Sequence, residues 1–454
     1  MKKLSIIFLV LFCFVVSLTA EGKVDFSGDV ETKWGVATPW ASETSWKDSN
    51  IAGRFLLGNT SFSGKLDAYY DNSSALAEGS VFYDAVTNSF DWSLDELWLD
   101  YTSAFWGIRI GRQKTAWGKA DGIDITNVIC PSDMSSFSAM TNDDSKLAID
   151  TIRLSFSGNQ FTADAYWIPF FTPAALPLED GNTLRKFLVP SSIDFPIPEM
   201  NITLALPVTI SGFDKPEPAI WNGEYGLKLS GYFSAFDVSF YGFYGWDDTP
   251  FLDYTITYGT ANPPSPAMPN GLNISGQYKR MAMFGTDAAI PIKETVLRAE
   301  AAFFPQRHFQ KSSDKIIEEN MTAGNSDITE QHNEFAALIG LDWMPGGWTI
   351  TAQYYCDYVF GDLNKLERTN AYEHGATLSI SKALVNETLE LSLAGILGLN
   401  DFDSLISPSI NYSLSDQIKI STGAYIFMPG PERDGQYGAY KDLSSIYFAA
   451  KFSF

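Results

Sequence analysis

The sequence is poor in the residues on which most enzymes and disulfide-rich proteins depend. It has three histidines and three cysteines, and Cys13 lies in an N-terminal leader described below. Cys130 and Cys356 are far apart in the chain, which excludes a disulfide framework. The histidines form no metal-spaced cluster and no serine-nucleophile motif accompanies them. The sequence therefore argues against an enzyme and predicts no metal site and no cofactor.

Basic residues and long apolar runs are also scarce. Lysine and arginine number 31 against 54 aspartates and glutamates. Loss of Lys2 and Lys3 with a leader peptide leaves 29 basic residues, and 29 − 54 gives a formal charge of −25. Such a charge disfavours nucleic acid as a partner. Beyond the leader, no segment offers the roughly 18 consecutive apolar residues of a membrane-spanning helix.

The N-terminus reads as a secretory signal peptide. Two lysines precede an apolar run over residues 4–16, and small residues follow. We expect a signal peptide over residues 1–20, cleaved after Ala20, followed by a single domain over residues 21–454. Cys13 also fits a lipoprotein anchor, but its place inside the apolar run favours a plain signal peptide.

Aromatic residues make up 15% of the chain, and apolar and polar residues alternate through most of it. In one segment, Leu227 and Leu229 alternate with Lys228 and Ser230. This period of two predicts β-strands, and most are longer than strands of ordinary globular proteins. Charged residues on the inner face indicate a water-filled lumen.

The connections between these strands alternate between tight and long, as in bacterial outer-membrane barrels. We therefore predict an all-β fold, a transmembrane antiparallel up-and-down β-barrel of about 18 strands (16 to 18), with short periplasmic turns and long external loops. It would lie in the outer membrane of a Gram-negative-type envelope, in contact with outer-membrane lipid. The eight tight connections are SGK (63–65), SAFW (103–106), GNQ (158–160), AFD (235–237), PIKE (291–294), PGG (345–347), VNE (385–387) and SDQ (415–417).

The chain ends IYFAAKFSF, with Phe448, Phe452 and Phe454 on one face of the last strand. This resembles the C-terminal signature of outer-membrane barrels, whose last aromatic residue is read by the assembly machinery. The resemblance implies the barrel-assembly machinery as a partner.

One hairpin allows its register to be predicted. If its turn is centred between Ala104 and Phe105, Asp100 lies opposite Arg109 on the polar face. We expect this polar face to line the pore, where charges either keep the lumen hydrated and hold strand register or form a transverse field at a constriction. The predicted pore-lining residues are Glu96, Asp100, Arg109, Arg112, Arg153, Lys228, Arg298 and Glu300.

Two long loops are expected outside the barrel. Residues 172–222 contain eight prolines, which argues against a regular sheet through most of them, although residues 201–210 alternate weakly and fit a short hairpin. Residues 248–277 form the second loop. Acidic clusters at 142–144, 247–248 and 400–403 lack the spacing of an EF-hand, so we interpret them as a solvated acidic rim.

The stretch IGRQKTAWGKADGIDITNVICPSDMS resembles the signature of a family of largely uncharacterised outer-membrane barrels, similar in outline to alginate-export and phosphate-selective porins. Cys130 replaces an asparagine of that signature. The resemblance implies a loop that enters the lumen after the motif. The matching residues are Gly111, Arg112, Gln113, Trp117, Gly118, Pro131 and Asp133.

Arg112 is the exception to the alternation, which places it on the lipid face beside Ile110. An arginine deep in lipid costs roughly 2–4 kcal/mol, falling towards zero at the interface. We expect a bulge at Gly111 to turn Arg112 inward; the alternative is that Arg112 lies at the outer rim.

These features together predict a porin-like channel. It would pass small polar or amphipathic solutes by passive diffusion, with the loop after Gly118 narrowing the pore. One alternative is a closed or plugged barrel that acts as a surface adhesin or antigen through its long loops. Another is a transporter of hydrophobic compounds with a lateral opening, which the absence of an N-terminal plug segment disfavours.

Overall fold

A computed structural model describes most of the chain. The described residues are 22–39, 52–135, 145–178, 182, 184–185, 189–197, 200–260, 267–323, 327–431 and 435–454. The predicted signal peptide and the acidic positions 142–144 lie outside these ranges.

The described part forms a closed antiparallel barrel of 18 strands, as predicted. Closure is made by β1, which pairs with β2 on one side and with β22 on the other. The barrel strands are β1 (Lys23–Ala37), β2 (Phe55–Tyr70), β3 (Ser73–Asp84), β4 (Ser89–Thr102), β5 (Trp106–Gln113), β6 (Ile149–Ser157), β7 (Phe161–Ile168), β10 (Glu224–Tyr232), β11 (Asp237–Trp246), β14 (Arg280–Ile292), β15 (Thr295–Gln310), β16 (Thr329–Trp343), β17 (Trp348–Val359), β18 (Tyr372–Leu384), β19 (Leu389–Gly398), β20 (Ser404–Ser413), β21 (Ile418–Met428) and β22 (Ser445–Ser453).

The barrel has a turn end, where both β1 begins and β22 finishes, and a loop end, where most of the long connections lie. Seven of the eight predicted tight connections join strands at the turn end. The prediction of a turn at residues 63–65 is wrong, because β2 runs straight through Gly64 and turns at Asp71, which has a φ of 50°. The apolar-polar alternation continues through Gly64, so the sequence pattern did not mark the true turn.

The two faces of the sheet differ as the alternation predicted. Leu227 and Leu229 point outwards and are exposed, whereas Lys228 pairs with Asp164 and Tyr241 on the inner face. Asp100 lies opposite Arg109, which confirms the predicted hairpin register. An apolar exterior around a partly polar interior is the pattern of a barrel surrounded by lipid.

A second sheet of four strands rises from the loop end. It is made of β8 (Ser192–Ile197) and β9 (Ile202–Asp214) from one long loop, and β12 (Phe251–Tyr258) and β13 (Pro269–Gln277) from the other. The short hairpin expected at residues 201–210 has other bounds: residues 202–210 lie in β9 alone, which forms the hairpin with β8 and also pairs in parallel with β13.

Helix α1 (Ser313–Ala323) follows β15 and packs against this small sheet. Ile317 of α1 contacts the apolar cluster around Leu206, Ile256 and Leu272. Two short 3-10 helices, Ile220–Asn222 and Gly438–Leu443, lie in other loops of the same end. Among the described residues, no helix has both the length and the apolar character needed to cross a membrane.

Candidate functional site: the lumen and the loop that enters it

The described residues of the connection from β5 to β6, 114–135 and 145–148, fold into the barrel and are called here the lumen loop. Its apolar residues Trp117, Ile125 and Ile129 are buried against the inner wall rather than exposed. They pack on inward side chains of β7, β11 and β14 to β17, including Met283 and Leu338. The lumen loop therefore gives the barrel an internal hydrophobic core along one side.

Trp117 is the centre of this core and is only 3% exposed. Its ring stacks on Tyr241 with centroids 5.1 Å apart, and it meets Tyr166 and Phe243 edge-on. Below it lies Gly226 of β10, where an added Cβ would stand 3.1 Å from the indole. The sheet therefore provides an aromatic pocket with a floor of glycine for this side chain.

Glu300 on β15 anchors the backbone of the loop. Its carboxylate accepts hydrogen bonds from the backbone N–H groups of Lys119 and Ala120, and from the hydroxyl of Thr126 at 3.1 Å. A carboxylate that satisfies several loop donors at once fixes the loop more firmly than a neutral acceptor would.

Gly118 allows the loop to approach Glu300 closely. Its φ is +84°, and a Cβ there would lie 2.6 Å from the Glu300 carboxylate and 2.7 Å from the Thr126 hydroxyl. Its N–H donates to the Tyr241 hydroxyl at 3.1 Å. Only glycine fits this position without displacing the anchor.

The loop tip is held by two further wall residues. Gln353 accepts from the Asp121 N–H at 3.0 Å and donates to the Asp121 carbonyl at 2.8 Å. Arg298 donates to the Lys119 carbonyl and pairs with the carboxylates of Asp121 and Asp342. Arg298 and Glu300, both predicted to line the pore, thus lie beneath the lumen loop and bind it.

Several residues of the stretch that resembles the family signature have structural roles. Gly111 has a φ of +131°, and a Cβ there would lie 2.2 Å from the Leu97 carbonyl oxygen. Gln113 is fully buried and donates to the Thr151 carbonyl at 3.3 Å. The buried thiol of Cys130 accepts the Thr115 N–H at 3.3 Å, a role that an asparagine carbonyl could fill equally. Burial raises the pKa of this thiol to about 11.

The end of that stretch ties the lumen loop to its neighbours. Asp133 caps the local turn by accepting the Ser135 N–H at 2.9 Å, and it forms a bridge with Ala175 of the long loop after β7. The carbonyl of Pro131 accepts the Leu147 N–H at 2.8 Å.

The bulge predicted at Gly111 is absent. Pairing of β5 with both β4 and β6 runs without a register shift, so Arg112 shares the face of Leu97 and Asp150, opposite to Arg109. It donates to the Leu94 carbonyl at 3.0 Å and lies 3.5 Å from the Asp150 carboxylate, one residue before β5 ends. The irregularity lies instead on β4, between Leu94 and Glu96. Arg112 keeps its face and is accommodated by its ion pair and its place at the loop end.

A charged sector lines the inner face from β3 to β7. The Asp100 carboxylate lies 2.9 Å from Arg109 and 3.7 Å from Arg153, and the Arg109 guanidinium stacks 3.8 Å over the Trp98 ring. Nearby, Glu96 accepts the backbone N–H of Lys114, where the lumen loop begins. Here predicted pore-lining residues form one ion-paired group. Lys228, further along the wall, lies 5.6 Å from the Tyr241 ring centre.

The opposite sector, from β18 through β22 to β1 and β2, forms no part of the hydrophobic core beneath the described residues of the lumen loop, which reach its edge at Asp121 and Gly122. It borders a cavity of about 640 Å³. Ser392 and Ser409 face each other there at 2.5 Å, and Lys33 donates to the Tyr425 hydroxyl at 2.9 Å. We call it the serine wall; its lining residues are Glu31, Lys33, Asn59, Ser61, Ser379, Ser381, Glu390, Ser392, Ala394, Ser407, Ser409, Asn411, Lys419, Tyr425 and Tyr447.

A second cavity of about 300 Å³ lies between the lumen loop and the loop end. Its main ion pair joins Arg307 to Asp247 at 3.0 Å and to Glu334 at 2.8 Å. Burial beside Asp247 raises the pKa of the neighbouring Asp248 above its ordinary value. The prediction of a solvated acidic rim is therefore wrong at Asp247, which is 6% exposed and paired with Arg307. Within the described ranges, no three or more histidine, cysteine, aspartate or glutamate side chains are grouped so as to hold a metal ion.

The sequence matches one known protein family over most of its length. The family described as "Protein of unknown function (DUF1302)" matches residues 48–395, which include the lumen loop and both long external-type loops. The chain belongs to this family. No curated protein matches the sequence.

The chain also resembles solved structures at low sequence identity. OccK8 (OprE) of Pseudomonas aeruginosa has a TM-score of 0.50 and 9% identity, over 96% of this chain and 99% of that one. OccAB3 of Acinetobacter baumannii has a TM-score of 0.49 and 8% identity, over 96% and 99% of the two chains. The outer membrane channel DcaP of the same organism has a TM-score of 0.44 and 9% identity, over 96% and 98%. At 9% identity, the similarity to OccK8 shows only that the two chains share a fold.

The serine wall was not predicted from the sequence, although a signal for it exists. In β18, Ser379 and Ser381 alternate with Leu378 and Ile380, and β19 and β20 repeat the pattern. The pore-lining residues were predicted from charged side chains, so the prediction did not include a face made of small hydroxyl side chains. The apolar inward positions under the lumen loop were also missed, because alternation cannot show which part of an inner face another segment covers.

Proposed function

We propose that this DUF1302 protein is an outer-membrane channel that passes small polar solutes by passive diffusion. The long-loop end would face the exterior and the turn end the periplasm. The apolar outer face and the antiparallel closure of the barrel support its insertion in the membrane, since a closed barrel satisfies every backbone hydrogen bond within lipid.

The observation that carries the proposal is the serine wall. Small hydroxyl and amide side chains leave the lumen open there, and they both donate and accept hydrogen bonds. Two lysines and two glutamates lie among them, so the wall has no strong charge of one sign. Such a surface replaces part of a polar solute's hydration without holding the solute tightly.

The other inner residues then divide into two groups. Asp100, Arg109 and Arg153 form the charged side of the pore, with Glu96 and Lys228 near them. Arg298 and Glu300 act through the lumen loop, which they hold against the wall so that it narrows the pore. Arg112 lies on the other face of β5 and takes no part in the pore.

Bilayer recording tests this proposal. Purified, refolded protein in planar bilayers should give discrete ohmic conductance steps, with weak selectivity for cations because the chain as a whole is acidic. Folded protein that repeatedly inserts and gives no conductance would overturn the open-channel proposal.

A second candidate is a surface-binding barrel, which the four-stranded sheet favours. This sheet and α1 have a hydrophobic cluster of their own around Leu206 and Ile274, so the two long loops form an ordered body. Shortening both loops separates the candidates, because a channel would keep or gain conductance whereas an adhesin would lose attachment to its target.

We also propose that Phe448, Phe452 and Phe454 serve assembly. Phe454 exchanges backbone hydrogen bonds with Gly28 at 3.0 Å, and its ring lies 5.8 Å from that of Phe26 across the closing seam. The last residue of the chain thus takes part in closure. Phe454→Ala should lower the yield of folded protein in outer membranes, measured by heat-modifiable migration on gels; an unchanged yield would contradict this role.

A further inference from the structure

Arg280 lies on the outer face of the barrel at its loop end. It is the first residue of β14 and pairs with Trp246, the last residue of β11. Residues of the same face include Tyr244 and Phe284, both exposed. This guanidinium therefore points away from the lumen, at the height where the strands leave the membrane.

The surroundings of Arg280 are aromatic and exposed. The guanidinium carbon lies 4.1 Å from the centre of the Trp246 ring and 5.2 Å from that of Tyr244. Beside it, the 3-10 helix carries Ile220 and Trp221, which are 67% and 75% exposed. Exposed tryptophan and tyrosine mark the interface between hydrocarbon and headgroups.

The Arg280 guanidinium is fixed but has spare donors. One terminal nitrogen donates to the Gly223 carbonyl at 3.0 Å and the other to the Trp221 carbonyl at 3.3 Å. A guanidinium has five N–H donors, so about three remain free. Among the residues that the structure describes, no carboxylate lies within ion-pair distance of it.

Arg112 provides the contrast. It lies at the same end of the barrel and on the same outer face, but Asp150 stands beside it and neutralises its charge. Arg280 is thus an oriented cation in an aromatic collar at headgroup level. Among the described residues it has no carboxylate in ion-pair contact, and the carboxylate that acts on it electrostatically is the buried Glu224. Phosphate is the anion that fits it, since a planar guanidinium binds phosphate oxygens in pairs.

We propose that Arg280, with Trp221, Trp246 and Tyr244, binds the phosphate group of an outer-leaflet lipid. This inference rests on the proposed outer-membrane location, not on the transport of any solute. The aromatic side chains would contact the apolar part of the headgroup region while Arg280 pairs with the phosphate.

The test uses folded full-length mature protein in a mild detergent, with lipid A as the probe and its dephosphorylated form as the comparison. Binding is followed by native mass spectrometry and by tryptophan fluorescence. Lipid A should bind about tenfold more tightly than the dephosphorylated form. Arg280→Gln should remove that preference, and Arg280→Lys should keep part of it.

Arg112→Gln is the matched control and should change lipid A affinity less than twofold. Heat-modifiable migration verifies that each variant is folded. Equal affinity of the wild-type protein for both lipids, or an unchanged preference in the Arg280→Gln variant, would overturn the inference. Conductance measured in parallel separates the two proposals, since a barrel without lipid preference can still conduct, and a barrel that does not conduct can still bind lipid A.

Discussion

The wall from β10 to β17 and the serine wall are built from the same kind of strand but have opposite inner faces. The first presents Tyr241, Met283 and Leu338 inwards and is covered by the lumen loop. The second presents Ser379, Ser392 and other small polar residues to a cavity of about 640 Å³. One barrel can therefore contain a packed core on one side and a polar cavity on the other.

The physical reason is that a loop inside a lumen must bury its own apolar residues and satisfy its own backbone groups. The covered wall supplies both, through the pocket for Trp117 and through the acceptors Glu300 and Gln353. The serine wall has hydrogen-bonding groups but no apolar pocket, so it favours contact with water instead.

The largest effect is expected from releasing the loop from the covered wall. Glu300→Ala removes the acceptor of two backbone N–H groups and one hydroxyl, each costing about 1–3 kcal/mol when left unpaired. Trypsin cleavage after Lys114 or Lys119 in the folded protein should accelerate by roughly 10- to 100-fold. Glu300→Gln keeps an acceptor oxygen and is the control; equal cleavage of wild type and Glu300→Ala would show that the loop is held by other contacts.

A smaller effect of the same kind is expected at Gly118. Gly118→Ala meets both a positive φ and a 2.6 Å contact with Glu300, whereas Gly122→Ala meets a positive φ alone, with open space around its Cβ. The first should destabilise the loop by about 2–3 kcal/mol and the second by about 1 kcal/mol. Cleavage rates compare them, and equal rates would mean that close approach to Glu300 does not matter.

A bulky residue on the serine wall should narrow the passage without touching the loop. Ser392→Trp should lower single-channel conductance by roughly half, because the indole enters the cavity that solutes would cross. Leu391→Trp, on the outer face of the same strand, should leave it unchanged. If neither substitution alters conductance, the serine wall is not the passage.

The smallest effect concerns Cys130, a buried residue of the lumen loop. Burial raises the pKa of its thiol to about 11, so the reactive thiolate forms only as the pH rises towards that value. In a Cys356→Ser variant, folded protein should resist iodoacetamide at pH 8 and react as the pH approaches 11. Adding Glu300→Ala should bring reaction to lower pH, because release of the loop exposes the thiol. Rapid labelling at pH 8 in the parent would contradict the packed core.

Much of the fold could be predicted because the membrane imposes a simple rule on every strand. Period-two alternation, tight turns and the register of Asp100 with Arg109 follow from local sequence alone. The turn at Asp71 could not be found, because alternation continues through Gly64 and the glycine there is no stronger a turn signal than many others. The four-stranded sheet also escaped prediction, since its parallel pairing joins two loops distant in sequence.

Local sequence was enough to predict the barrel and the inward or outward side of most strand residues, and the resemblance to a known family added a loop that enters the lumen. Which inner residues face water and which face that loop depends on packing between segments far apart in the chain. Glu300 and Arg109 are both charged and both lie at inward positions of their strands. Glu300 nevertheless anchors the lumen loop, whereas Arg109 pairs with Asp100 in the charged sector of the inner face. Alternation fixes a side chain's direction from its own strand, whereas its partner belongs to a segment distant in sequence that alternation does not describe.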